Sequence, residues 1–204
     1  MKLTQKNLLF IFLISTMFSC VESKEKDQGD PLLNTDLDLI RVNNQYSIEI
    51  PTFMNESDDL NIEASLQYQN IFKETYVIVI DEPKDDFKSI FEELGQYDNT
   101  VSVVKNYKDI QLEFFDDEVT INSVEDIESS VINGLPFEII EVDATVDDIN
   151  IGYTIAYVEG AKSVYMIMVW TLQDRHEKYS QLFKKVVKSF NISTRSKGAK
   201  KNAS

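Results

Sequence analysis

Two short stretches, Tyr76-Val77-Ile78-Val79-Ile80 and Val164-Tyr165-Met166-Ile167-Met168-Val169-Trp170, are apolar throughout and show no alternation with polar residues. Each has the length and the β-branched and aromatic content of a strand, and a strand apolar on both sides must be covered on both faces. A sheet containing two of them cannot turn one face to water. Helices are therefore required above and below it, which limits the chain to layered architectures.

The rest of the pattern supplies those helices and further strands. Tyr46-Ser47-Ile48-Glu49-Ile50 alternates and stops at Pro51, which predicts a half-buried strand opening the domain, and Ala64 to Asn70 alternates weakly. After Pro83 the period changes. Phe87, Ile90, Phe91 and Leu94 fall on one helical face closed by Gly95, and a second helix is expected from Val101 to Phe114 through Val104, Tyr107 and Ile110. Asp116-Asp117-Glu118 then reads as a loop.

From Ile127 the text becomes a strand series. Asn133-Gly134 suits a tight hairpin whose turn residues need positive φ, and Asp147-Asp148 makes the next turn. Beyond it Ile151, Tyr153, Ile155 and Tyr157 share one face of a strand, and Glu159-Gly160-Ala161 turns the chain into the second apolar run. The last element is a helix carrying Tyr179, Leu182, Phe183, Val186, Val187 and Phe190 at three- and four-residue spacing, with Asp174 and Glu177 resembling a capping box at its start. Grouped strands with few helices give an α+β class: a three-layer α/β/α sandwich, its sheet mainly antiparallel and flanked by helices.

The N-terminus is of another kind. Lys2 and Lys6 precede the apolar run Leu8 to Ile14, and Ser19-Cys20 follows a short stretch, the order of a secretory signal. The run is too short for a membrane span, which needs about 20 apolar residues. Cys20, the only cysteine, falls where lipoprotein signal peptidase cuts, in a context that resembles a lipobox, with Met17 and Phe18 where that motif prefers Leu and a small residue. The expected organisation is a signal peptide over 1–19 with lipid (palmitate among its chains) on Cys20, a flexible tether over 20–40, one domain over 41–192 and a disordered basic tail over 193–204. The charged residues just after Cys20 resemble the export signals of surface lipoproteins of the Bacteroidetes type.

A lone cysteine excludes an internal disulfide, so the core must hold the fold. Removing residues 1–19 takes away two lysines and no acid, so the formal charge of −15 becomes −17. Such a surface repels phosphate backbones, and nucleic acid is excluded as a partner class.

Tyr46-Ser47-Ile48-Glu49-Ile50-Pro51, Asn133-Gly134-Leu135-Pro136, the strand Val164 to Thr171 and the helix end Lys188-Ser189-Phe190 together resemble the PsbP-like superfamily. The resemblance spans Tyr46 to Phe190 and rests on structural motifs. It implies a fold used for docking onto other macromolecules, and its envelope-lipoprotein branch fits Cys20. Fold alone does not fix function.

Chemistry is sparse in the sequence. His176, the only histidine, reads as a surface position in the first turn of the last helix with no implied partner. Paired carboxylates at 58–59, 85–86 and 147–148 suit turns and helix starts. Asp116, Asp117 and Glu118 are the candidate cation ligands, although no alternating calcium-loop spacing surrounds them. No G-x-S-x-G and no phosphate-binding glycine loop is present, so no cofactor is expected. Trp170, Tyr153, Tyr157 and Tyr165 read as core, with a ligand pocket as the other reading. The functional expectation is a membrane-anchored envelope lipoprotein, not an enzyme, whose domain binds another envelope protein or stabilises an assembly. The alternative is a small-ligand carrier with a pocket between sheet and helices; hydrolytic activity comes last.

Overall fold

A computed structural model describes residue 32 and residues 34–193. The expected signal peptide and lipid site Cys20, most of the tether, and the tail from 194 on lie outside the described residues.

The first element is β1 (Leu37–Val42), which pairs antiparallel with β2 (Tyr46–Pro51), Leu37 opposite Pro51 and Val42 opposite Tyr46. The ordered domain thus begins within the segment read as tether. β1 escapes a pattern search because Leu37, Ile40 and Val42 are only half-buried and do not alternate. Its signal was in the turn: Asn43 and Asn44 both have positive φ, 47° and 54°, the requirement of a tight hairpin that Asn tolerates. At the other end β10 (Asn191–Ile192) pairs with β2, and the Ser193 amide donates to Gln45 O, so the domain runs through the residue expected to begin the tail.

A second sheet holds seven strands. β3 (Asn55–Glu56), β4 (Leu66–Asn70) and β5 (Thr75–Pro83) lead into two helices, α1 (Lys84–Glu93) and α2 (Val103–Glu118). β6 (Thr120–Ile132), β7 (Leu135–Val146), β8 (Ile149–Glu159) and β9 (Ser163–Leu172) follow as a meander, then α3 (Gln173–Lys188). The order is β3-β4-β5-β9-β8-β7-β6 and every neighbouring pair is antiparallel. Both expected turns have the required backbone: Asn133 and Gly134 at φ 53° and 79°, Asp147 and Asp148 at 47° and 65°.

The two apolar runs are the strands β5 and β9, side by side, and their side chains divide between two cores. Val77, Val79, Ile167 and Val169 face α3 and the small β1-β2-β10 sheet; Ile78, Met166 and Met168 face α1 and α2. The expected α/β/α sandwich is present, with the small sheet sharing one outer layer with α3. Each fully buried large side chain, such as Phe183 or Phe137, contributes about 1.5–3 kcal/mol of transfer free energy.

Several local expectations are corrected. In α1, Phe87 and Phe91 are buried while Ile90 and Leu94 stand 52% and 63% exposed, because the helix touches the sheet along a strip narrower than its apolar stripe. α2 starts at an N-cap, Ser102, whose Oγ accepts from the Lys105 amide, and extends through Glu118. Asp116, Asp117 and Glu118 therefore form its last turn, not a loop. Acids disfavour a helix C-terminus, but Phe115 packs edge-to-face on Tyr153 at 5.1 Å and holds the turn down. At α3 there is no capping box: Leu172 occupies the N-cap without a side-chain bond, and Asp174 lies inside the first turn.

Candidate functional site

Strand register builds a flat apolar floor on the α1/α2 side of the large sheet. Tyr153 lies opposite Trp170 and Trp170 opposite Tyr76; Ile155, Met168 and Ile78 make the next row, Tyr157, Met166 and Ile80 the next. Trp170 stacks on Tyr76 at 5.2 Å and tilts against Tyr153 at 6.0 Å. The same face of β5 continues past Ile80 to Glu82, so a carboxylate closes one end of the floor.

Helix α2 forms the roof but rests on the floor through two rings. Tyr107, fully buried, meets Tyr157 and Phe87 edge-to-face at 5.9 and 5.0 Å; two turns on, Phe115 meets Tyr153. Between them, one turn after Tyr107, stands Gln111, which fills no apolar space and instead donates from Nε2 to Glu82 Oε1 at 2.9 Å. A cavity of about 770 Å3 remains, floored by Ile78, Ile80, Ile155, Met166, Met168 and Trp170 and flanked by Phe91, Phe114 and Phe115. Pockets that take small molecules run about 300–1,000 Å3. Exposed Glu63, Asp117 and Glu118 border its mouth.

Glu82 is the half-buried carboxylate at this site. Tyr107 Oη donates to its Oε1 at 2.8 Å alongside Gln111. Burial raises its pKa; the Tyr107 hydrogen bond opposes that rise, and Glu63 and Asp81 add to it. Tyr153 is pushed up to about 12 by burial alone.

A second, polar cleft of about 450 Å3 lies across the molecule where α3 crosses β7 and β8. It contains His176, which is 8% exposed and not the surface residue expected from its charged neighbours. The helix points it inward, where its Nε2 meets Thr154 Oγ1 at 3.1 Å and its ring lies 6.1 Å from Phe183. The opening for it is Gly152: a Cβ there would come within 2.5 Å of the imidazole. Burial lowers the pKa of His176, Glu141 and Asp143 oppose that, and Lys184 adds to the lowering. Ser180 Oγ donates to Glu141, which also pairs with Lys184 at 3.0 Å.

Of the aromatic residues singled out in the sequence, Tyr153, Tyr157 and Trp170 meet at the apolar cavity. Tyr165 belongs to the other core, against Tyr46 and Phe190 at 5.6 and 4.9 Å. Asp117 and Glu118 lie at the mouth and Asp116 does not line the cavity. Among the described residues no three His, Cys, Asp or Glu side chains gather as a metal site. Glu82 and Gln111 went unnoticed in the sequence. The signal was available: a Gln on the sheet-facing line of an amphipathic helix and an acid continuing an apolar strand face.

No protein-family model matches the chain, and no curated protein matches it by sequence. Solved structures do. The mycobacterial LpqN of Mycobacterium tuberculosis, described as involved in cell envelope biogenesis, aligns at 7% identity with a TM-score of 0.47, covering 81% of this chain and 96% of its own. A Pseudomonas aeruginosa protein of unknown function aligns at 12% with a TM-score of 0.39, covering 75% and 94%. The cyanobacterial PsbP (CyanoP) of Synechocystis aligns at 11% identity with a TM-score of 0.51 over 78% of this chain and 93% of its own, so the domain has a PsbP-like fold.

Proposed function

We propose that this chain is a bacterial envelope lipoprotein, anchored through lipid on Cys20, whose PsbP-like domain is a noncatalytic carrier for a small apolar ligand. The observation that carries the reading is the cavity between the large sheet and α2, with aromatic and aliphatic walls and a carboxylate at one end. Anchoring is supported by the order of Lys2, Lys6, the apolar run and Ser19-Cys20. No helix among the described residues is long and apolar enough to cross a membrane. The carrier reading, second in the sequence, moves ahead of partner docking because the space it requires exists.

Hydrolysis stays last. The one hydroxyl that meets His176 Nε2 among the described residues, Thr154 Oγ1, is fully buried and closed to a substrate, and the Ser180 hydroxyl in the same cleft donates to Glu141. Docking onto an envelope protein keeps one specific support: β6 forms an edge of the large sheet, an outer rim onto which a partner strand could add. Its two register irregularities, at Ile121/Ser123 and Asp126/Glu128, shorten the regular stretches on that rim.

The test uses the full chain carrying Cys20→Ser, which takes no lipid and needs no detergent, titrated with the neutral dye Nile Red. Saturable binding of one dye per chain, abolished by the cavity-filling Ile80→Trp, is expected. Absence of saturable binding, or binding that Ile80→Trp leaves unchanged, refutes the carrier reading. Mass analysis of the mature N-terminus tests the anchor separately.

A further inference from the structure

The chemistry of the cavity selects among apolar ligands. Among the described residues its lining contains four carboxylates, Glu63, Glu82, Asp117 and Glu118, and not one lysine, arginine or histidine. None of the four has an ion-pair partner among the described residues, although acids elsewhere do: Glu159 pairs with Lys84, Glu141 with Lys184, Glu128 with Lys188. Negative charge beside a low-dielectric apolar wall focuses its field into the opening and is weakly screened there. The rings of Trp170 and Tyr153 line the end of the floor away from Glu82 and suit an aromatic body.

Resting on the carrier reading, we infer that the ligand of this cavity is a cationic amphiphile: an apolar or aromatic body seated on the Met166, Met168 and Trp170 floor, with an amine or quaternary ammonium head held at Glu82 and Glu63. Tyr107 and Gln111 both donate to the same oxygen of Glu82, Oε1. Those bonds fix the carboxylate, and its second oxygen is the acceptor for the head group. A fatty acid or other anionic lipid of equal length fits the volume but places like charges together without a counter-ion.

The test compares three water-soluble probes of one shape, 4-phenylbutylamine, 4-phenylbutanol and 4-phenylbutyrate, against the Cys20→Ser full chain by calorimetry. The amine is expected to bind at least about tenfold more tightly than the carboxylate, with the alcohol between, and the gap to narrow in high salt. Glu82→Gln, which still accepts from Tyr107 and Gln111, is expected to remove most of that preference while leaving the alcohol's affinity in place. Equal affinity for the three, or preference for the carboxylate, overturns the inference and leaves the carrier reading standing if Nile Red still binds. Failure of all three probes while Nile Red binds overturns it too; failure of Nile Red as well sinks the carrier reading itself. Amine binding that persists unchanged in Ile80→Trp is adsorption to an acidic surface and overturns the inference.

Discussion

Replacing Gly152 by Ala places one methyl group where β8 and α3 meet most closely. The added Cβ would lie 2.5 Å from both Cβ and Cγ of His176 and 3.0 Å from its Cδ2. Carbon atoms prefer about 3.5–4.0 Å, so about 1 Å of separation has to be found. Rotation about χ1 moves Cγ but leaves the His176 Cβ where the helix backbone puts it, so α3 itself must lift. That helix carries Tyr179, Leu182, Phe183, Val186 and Val187 into the core, and overpacking of this kind costs about 1–3 kcal/mol. Lifting also breaks the bond between His176 and Thr154, whose hydroxyl is fully buried, at a further cost of about 1–3 kcal/mol. The sum, about 2–6 kcal/mol, is a large share of the stability of a domain this size. With a urea m-value of about 2 kcal/mol/M, the midpoint should fall by about 1–3 M in equilibrium unfolding. His176→Ala removes the ring but keeps Cβ, so Gly152→Ala should remain destabilising in that background, by less. A midpoint within about 0.3 M of the parent for Gly152→Ala would refute the reasoning, since the helix would then have yielded without cost.

Other substitutions follow from single groups. Thr171 Oγ1 is buried with no hydrogen-bond partner among the described residues, so Thr171→Val should be neutral or stabilise by up to about 1 kcal/mol in urea unfolding; a loss above about 1 kcal/mol contradicts this. Ser189 Oγ accepts from the Glu49 amide at 2.8 Å and donates to Val186 O at 2.6 Å, tying α3 to β2; Ser189→Ala should cost about 1–3 kcal/mol, while Ser189→Thr should retain much of it. Burial lowers the pKa of His176 in the fold, so the unfolded chain takes up its proton first as pH falls. The stability from a neutral His176 is complete above about pH 6.5 and is lost as pH falls from there through the lowered folded value. Denaturation midpoints measured from pH 8 to 5 should therefore drop less steeply in His176→Gln than in the parent, and identical slopes would contradict the burial.

What the sequence determined by itself is the layering, because it follows from local composition. Two runs apolar on every residue demand cover on both faces of the strands that hold them, Asn133-Gly134 and Asp147-Asp148 accept the positive φ of tight turns, and the α3 stripe buries as spaced. The resemblance of short motifs to the PsbP-like superfamily likewise named the right fold. Patterns weaken where burial is partial, and there the sequence misled. β1 is held by pairing with β2, a backbone interaction that leaves little trace in side-chain type, and the last turn of α2 persists against its acids because Phe115 reaches a tyrosine thirty-eight residues away. Only the tertiary structure decided the sites. Whether His176 faces water depends on a missing side chain at Gly152 on another strand, and the cavity lies between residues of one helix and a floor drawn from three strands. Such spaces belong to the distance between elements, which no residue's local preference encodes.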